Sequence, residues 1–92
     1  MRSTKQTHAF KKDLKRESRG KYHHILQEDF VSIVRQLALD RVLAPQYRDH
    51  ALTGEWTGHR ECHIMPDLLL IYLKTDDNTL HLVRLGSHSE LL

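Results

Sequence analysis

Eight histidines in a chain of 92 residues are the feature of this sequence that most calls for a chemical explanation. Histidine is the side chain that exchanges protons near neutral pH. Three short stretches place histidines beside arginines and carboxylates, namely residues 48–50, 60–67 and 84–88. Each stretch falls at a predicted loop or strand end, and adjacent strands can bring such ends together.

A set of imidazoles and one arginine can cleave RNA without a metal. The reaction requires a base to take the proton of the 2′-hydroxyl, an acid to protonate the departing 5′-oxygen, and positive charge for the phosphorane-like transition state. General acid–base groups typically contribute about 10²–10⁴-fold each, and preorganised charge contributes a comparable factor. The alternative is that these histidines are surface or structural residues, and spacing alone does not decide between the two interpretations.

A metal site is the competing chemical interpretation, because His50, His63, Asp67 and His88 are all acceptable ligands for zinc. The sequence contains no compact ligand motif such as HExxH, so we expect no metal. The single cysteine, Cys62, cannot form an internal disulfide and is expected to be a small buried side chain. A structural role is expected for the remaining histidines, His8, His23, His24, His59 and His81.

Two helices are predicted in the first half of the chain. Thr7 can cap a helix over about 8–19, in which Phe10 and Leu14 are spaced i, i+4. A second helix is predicted over about 22–39, where a single apolar stripe consists of Leu26, Phe30, Ile33, Val34 and Leu37. Residues 2–6 are polar and are predicted to form an edge strand or an arm.

The second half predicts an antiparallel meander. Residues 40–53 are expected to form a loop around Pro45. A strand over 59–65 precedes LLLIYLK, whose two apolar faces indicate a buried central strand. A turn at 76–78 then leads to a last strand, TLHLVRLG. The predicted fold class is α+β, with two N-terminal helices packed on a small antiparallel sheet in one domain over 1–92.

Strand periodicity assigns faces to some of the candidate residues. A period of two places Glu61, His63 and Met65 on one face, opposite Cys62 and Ile64. Arg84 precedes His88 at the end of the last strand, so a guanidinium and an imidazole can converge on one side of the sheet. The parity that Arg84 shares with Leu80 and Leu82 leaves its exposure open.

The formal net charge of +2 hides an asymmetry, because residues 1–21 carry +6 and the remainder carries −4. This basic end can attract a polyanion, or it can be an ordinary solvated helix face. The N-terminus lacks the apolar core of a signal peptide, and the longest apolar run is too short to span a bilayer. We therefore expect a cytoplasmic protein without a membrane segment.

Two segments, YRDHALTGEWTGHRECHIMPDLLLIYLK and LVRLGSHSELL, resemble the YafQ branch of the RelE/ParE toxin superfamily. The ordered set DH, GxWxGxRxxH, PD, IY and RxGxH is far more specific than any lone histidine pair. The resemblance covers nearly the whole chain and is most specific from Leu43 to Leu92.

This resemblance implies a compact sheet with two N-terminal helices on one side and an endoribonuclease toxin that cleaves mRNA, typically on the translating ribosome. The expected partners are a cognate antitoxin, mRNA and the ribosome, with operator DNA bound only through the antitoxin, and no cofactor is expected. The family's catalytic histidines match His50, His63 and His88, its acidic residue matches Asp67, and its phosphate-binding arginine matches Arg84. RNA-binding roles are expected for Lys11, Lys12, Lys15, Arg16 and Arg60.

The chain departs from the family pattern at two positions. The YafQ type has an aromatic residue after the acidic one and another at the C-terminus, where this chain has Leu68 and Leu92, so base stacking there is in question. The superfamily also includes gyrase inhibitors without a ribonuclease centre, and a third interpretation is a protein that acts mainly as half of a repressor complex. The histidine set favours RNA cleavage over gyrase inhibition.

Overall fold

The computed structural model describes residues 1–92, which form one five-stranded sheet and four α-helices. The strands are β1 (Ser3–Gln6), β2 (His50–Ala51), β3 (Arg60–Met65), β4 (Leu68–Thr75) and β5 (Thr79–Gly86), in the order β1-β5-β4-β3-β2. The helices are α1 (His8–Ser18), α2 (His23–Gln27), α3 (Asp29–Ala38) and α4 (His88–Leu91), with 3₁₀ turns at Pro45–Tyr47 and Gly54–Trp56. None of these helices has the length and apolar character needed to cross a membrane.

The sheet is mixed, whereas the sequence predicted an antiparallel one. Strands β2 to β5 pair antiparallel, as expected for a meander. Strand β1 lies at the edge and pairs parallel with β5, in a register that begins at Ser3 opposite Thr79. The prediction is wrong at this edge because no hairpin joins β1 to β5, so hairpin connectivity does not impose antiparallel pairing.

The helices follow the apolar pattern but not all the predicted boundaries. Helix α1 begins as predicted, with the Thr7 hydroxyl accepting from the Phe10 amide at 3.0 Å. The predicted helix over 22–39 is instead two helices, because the backbone leaves the helical region at Glu28 (φ −120°, ψ −76°). The apolar stripe continues across this break, with Leu26 on α2 and Phe30 on α3 both buried.

The core lies mainly between the helices and one face of the sheet. On this helix-side face, Phe10, Ile33 and Leu37 pack with sheet residues that include Leu70 and Leu82. A second, smaller cluster on the opposite face contains Leu69, Ile71 and Leu91. Strand β4 therefore contributes buried residues to both faces, which confirms the prediction of a buried central strand.

Two β-bulges change which side chains share a face. In β5, Ile71 pairs with Arg84 and Tyr72 pairs with Leu82, so Val83 is an extra residue. Leu82 and Leu85 consequently join the same helix-side core, and Arg84 does not share the face of Leu82.

The bulge in β3 has a similar effect. His63 pairs with Leu69 and Met65 pairs with Leu68, which leaves Ile64 as the extra residue. Met65 packs against the helix-side core, so the prediction that it shares the face of His63 is wrong.

Candidate active site

Two histidines and a buried carboxylate form a cluster on the face opposite the helices. The Nε2 atom of His63 lies 3.1 Å from Glu61 Oε1, and the Nε2 atom of His50 lies 4.0 Å from the same oxygen. The Glu61 side chain is only 3% exposed, whereas that of His50 is 50% exposed. Glu61 Oε2 is buried and has no hydrogen-bond partner. The cluster can therefore exchange protons with a substrate while keeping its carboxylate away from water.

Pairing between β2 and β3 builds this cluster. His50 lies opposite Glu61 in the register, and the alternation of β3 brings His63 to the same face. The Nδ1 atom of His50 donates to the Arg48 carbonyl oxygen at 2.6 Å, which orients the ring. The sequence predicted a loop over residues 40–53. That prediction missed the short strand β2, which positions His50.

Arg84 lies in the same row across the sheet as this cluster. The row runs from His50 through Glu61 and Ile71 to Arg84, across four strands. With a spacing of about 4.8 Å between neighbouring strands, the backbones of Glu61 and Arg84 are about 10 Å apart. A phosphate group and its flanking nucleotides can span this distance.

A buried carboxylate holds the Arg84 side chain. Asp13 of α1 accepts from Arg84 Nε at 2.7 Å and from Nη2 at 3.1 Å. Burial raises the pKa of Asp13, but the hydrogen bonds from Arg84 and the Leu85 amide, together with the positive charges of Arg84 and Arg16, outweigh it and leave the pKa below its ordinary value. The same pair raises the pKa of Arg84. Arg84 is therefore a fixed cation.

Asp67 and His88 meet at the end of the sheet. The backbone amide of His88 donates to Asp67 Oδ1 at 3.3 Å, and both residues are exposed. His88 is the first residue of α4, whose start is fixed by a capping box between Ser87 and Glu90. The sequence did not predict this helix.

Gly86 lies where side chains of α1 and α4 pack closely against the end of β5. A Cβ atom at this position would lie 2.8 Å from Arg16 Nη2 and 3.1 Å from Glu90 Oε1. Only glycine fits here without displacing the side chains that join α1, β5 and α4.

The predicted RNA-binding cations fall into two groups. Lys11, Lys12 and Lys15 are exposed along α1. Arg16 instead donates to Asp13 and to the Leu85 carbonyl oxygen.

Arg60 also has partners within the chain. Its Nε atom lies 3.3 Å from Asp49 Oδ1, and it pairs in register with Tyr72, whose side chain belongs to the helix-side core. Arg60 therefore lies on the opposite face from His63.

Two further candidate groups, Cys62 and His59, lie in surroundings that indicate structural roles. Cys62 is fully buried as predicted, and burial raises the pKa of its thiol. The ring of His59 packs edge-on against Trp56 at 5.3 Å. No group of three or more histidine, cysteine, aspartate or glutamate residues is arranged to hold a metal ion.

Two residues of the site were missed by sequence reasoning. Glu61 had a usable signal, because it is an acidic residue two positions from His63 on an alternating strand. Asp13 had none, since its partner Arg84 is 71 residues away in the sequence.

A groove lies beside the histidine cluster, between the 3₁₀ turn Pro45–Tyr47 and the end of β3. Its volume is about 340 Å³. His63 belongs both to this groove and to the histidine cluster. The groove is also lined by Gln46, Tyr47, Arg48, Ile64, Met65 and Pro66.

Comparison with known families identifies the fold. The model of the family described as "Bacterial toxin of type II toxin-antitoxin system, YafQ" matches residues 2–92. This chain belongs to the YafQ toxin family. The "mRNA interferase toxin YafQ" of Escherichia coli K12 is 47% identical over 45 residues, which cover 49% of this chain and 48% of that protein. The chain spans about half the length of the curated YafQ relatives it matches.

Solved structures of toxins align over the whole chain. A structure described as a metal-bound toxin from Helicobacter pylori is 44% identical, with a TM-score of 0.90 and coverage of 100% of both chains. The toxin in a structure of the E. coli DinJ–YafQ complex is 32% identical, with a TM-score of 0.82 and coverage of 100% of this chain and 99% of that one. This chain therefore has the mixed α+β fold of YafQ toxins.

Proposed function

We propose that this chain is an endoribonuclease toxin that cleaves mRNA on the ribosome and is restrained by a cognate antitoxin. The observation that carries the proposal is the cluster of His50, Glu61 and His63, which shares one sheet face with the fixed cation of Arg84. The name of the E. coli relative, an mRNA interferase, supports the reaction, and the DinJ–YafQ complex supports the kind of partner.

The proposed reaction is attack of the RNA 2′-hydroxyl on the neighbouring phosphate. His50 or His63 takes the hydroxyl proton, and the nearby Glu61 carboxylate balances the positive charge that the ring gains. Arg84 stabilises the negative charge of the transition state. His88 donates a proton to the departing 5′-oxygen, and Asp67 holds the backbone from which His88 projects.

Docking is proposed to depend on the basic end of the chain. The exposed lysines of α1, Lys11, Lys12 and Lys15, are suited to contact ribosomal RNA or an acidic antitoxin. Arg16 and Arg60 contribute positive charge while remaining bonded to Asp13 and Asp49. Operator DNA is bound only through the antitoxin in this proposal.

Mapping the RNA ends produced by the purified wild-type protein tests the proposal. We expect cleavage of mRNA on ribosomes and, with naked RNA in EDTA, 2′,3′-cyclic phosphate or 3′-phosphate ends. The variant His63→Ala should lose cleavage, while His24→Ala, an exposed histidine of α2, should retain it.

Three outcomes would contradict it. Products with 3′-hydroxyl ends and strict metal dependence would overturn the mechanism. Gyrase poisoning without RNA cleavage would favour a gyrase inhibitor. Operator binding with the antitoxin as the sole activity would favour a co-repressor.

A further inference from the structure

We infer that the groove between the 3₁₀ turn Pro45–Tyr47 and the end of β3 binds one nucleotide of the RNA beside the cleaved bond and sets the base preference of cleavage. The inference rests on the proposed function, because it assigns the substrate subsite of the same centre. The groove volume of about 340 Å³ lies at the small end of ligand pockets, which span about 300–1,000 Å³. That size suits one nucleotide better than a protein segment.

The lining of the groove has the chemistry that recognises an unpaired base. Tyr47 is its aromatic residue, and Met65 and Pro66 supply an apolar surface beside it. Sequence-specific recognition of single-stranded RNA uses aromatic rings on which bases stack and polar groups that read base edges. The exposed Gln46 amide offers both donors and an acceptor for such an edge.

Arg48 adds an available positive charge at the rim. It is exposed, and its guanidinium pairs with no carboxylate of the chain. Its backbone is left-handed (φ 48°), a conformation that is unfavourable for a residue with a side chain. The His50 ring holds the Arg48 carbonyl at 2.6 Å, so the strained residue is tied to the catalytic cluster.

His63 makes the groove and the cluster continuous. Its side chain lines the groove and lies 3.1 Å from Glu61. A nucleotide seated in the groove therefore places its sugar or phosphate at the histidines. We assign the base to Tyr47 and Gln46 and the adjacent phosphate to Arg48.

Two measurements on the full-length protein test this assignment. The first is titration with each of the four nucleoside monophosphates, followed by backbone amide NMR shifts. We expect saturable shifts at residues 46–48 and 63–65, and Tyr47→Leu should weaken binding by about 5- to 150-fold, the range for loss of one base stack. Leucine is chosen because Tyr47 also packs against the core.

The second measurement is sequencing of cleavage sites in a pool of randomised RNA. Gln46→Ala should change the base distribution beside the cut, while the control Gln27→Ala, an exposed glutamine of α2, should not. Arg48→Gly relaxes the left-handed backbone and should leave the fold at least as stable, yet weaken RNA binding about tenfold or more. The control Arg41→Gly removes an exposed cation outside the groove.

The outcomes separate this inference from the proposed function. If the wild-type protein cuts RNA but Gln46→Ala and Tyr47→Leu leave the base distribution and nucleotide binding unchanged, the groove assignment is wrong and the function stands. If the wild-type protein cuts no RNA, the proposed function fails. The nucleotide titration by itself then tests whether the groove binds a nucleotide. Shifts confined to the α1 lysines would also overturn the groove assignment.

Discussion

Arg84 and Asp13 form a two-point ion pair that fixes the guanidinium beside the sheet, with Nε and Nη2 bound to the two carboxylate oxygens. Asp13 also accepts from the Leu85 amide at 3.0 Å. Strand β1 ends at Gln6, opposite Leu82. Beyond that point, Asp13 of α1 provides a hydrogen-bond acceptor for the backbone at the edge of β5. The pair uses two of the three guanidinium nitrogens, and in the proposed reaction the third, Nη1, would bind the substrate phosphate.

Replacing Asp13 should change how stability depends on pH. Because the folded pKa of Asp13 lies below its ordinary value of 3.8, its contribution is present above pH 3.8 and is lost as the pH falls through the folded pKa. Asp13→Asn should therefore lose about 1–3 kcal/mol at pH 7 and show a flatter stability profile in acid. Urea unfolding at several pH values from 7 down to 2 measures both effects. Asp76→Asn, an exposed turn residue, is the control, and parallel profiles for wild type and Asp13→Asn would contradict this account.

Substituting lysine for Arg84 should separate charge from geometry. Arg84→Lys keeps a positive charge but cannot make the two-point pair with Asp13. We expect single-turnover cleavage to fall by about 10²-fold, with a smaller loss of RNA affinity. Arg19→Lys, on an exposed arginine, should be neutral. Wild-type rates for Arg84→Lys would show that only its charge matters.

His88 should be required for cleavage and dispensable for folding. Its side chain is exposed, and the residue contacts Asp67 through its backbone amide. His88→Ala should lower the single-turnover rate at saturating RNA by about 10²-fold or more, with little change in melting temperature and retained antitoxin binding. Near-wild-type cleavage by a folded His88→Ala protein would eliminate His88 as the acid and shift that role to His50 or His63.

Neutralising Glu61 should move activity and stability in opposite directions. Glu61 is buried with one oxygen unpartnered, an arrangement that is unfavourable for folding. Glu61→Gln should raise the free energy of unfolding by about 1 kcal/mol and lower cleavage, because the charge beside His63 is lost. Urea unfolding and single-turnover rates at pH 7 check the two effects. A stabilised variant with full activity would remove Glu61 from the mechanism.

The exposed lysines of α1 should act in docking. Reversing Lys11, Lys12 and Lys15 to glutamate should weaken association with the ribosome or an acidic antitoxin at low salt, and the difference should shrink as salt rises. The melting temperature should change little. Arg16→Glu should behave differently and destabilise the fold, because Arg16 binds Asp13 and the Leu85 carbonyl oxygen. Unchanged association constants for the lysine variant would show that these lysines form an ordinary solvated surface.

The local sequence pattern was sufficient to predict most secondary-structure elements of this fold. The cap at Thr7, the apolar runs of the last two strands and the turn at 76–78 were all predicted, because each depends on residues adjacent in the chain. The family motifs also predicted His50, His63 and His88 as candidate catalytic residues. Alternation correctly placed Glu61 and His63 on the face opposite Cys62.

The tertiary structure decided on which face those residues lie and which contacts they make. The extra residue Val83 changes the parity of β5 and moves Arg84 away from the face of Leu82, and no local signal marks this bulge. The parallel pairing of β1 and the buried carboxylate of Asp13 depend on contacts between segments more than 70 residues apart. Sequence alone determines which side chains can transfer protons or carry charge, but only packing determines which carboxylate each one meets.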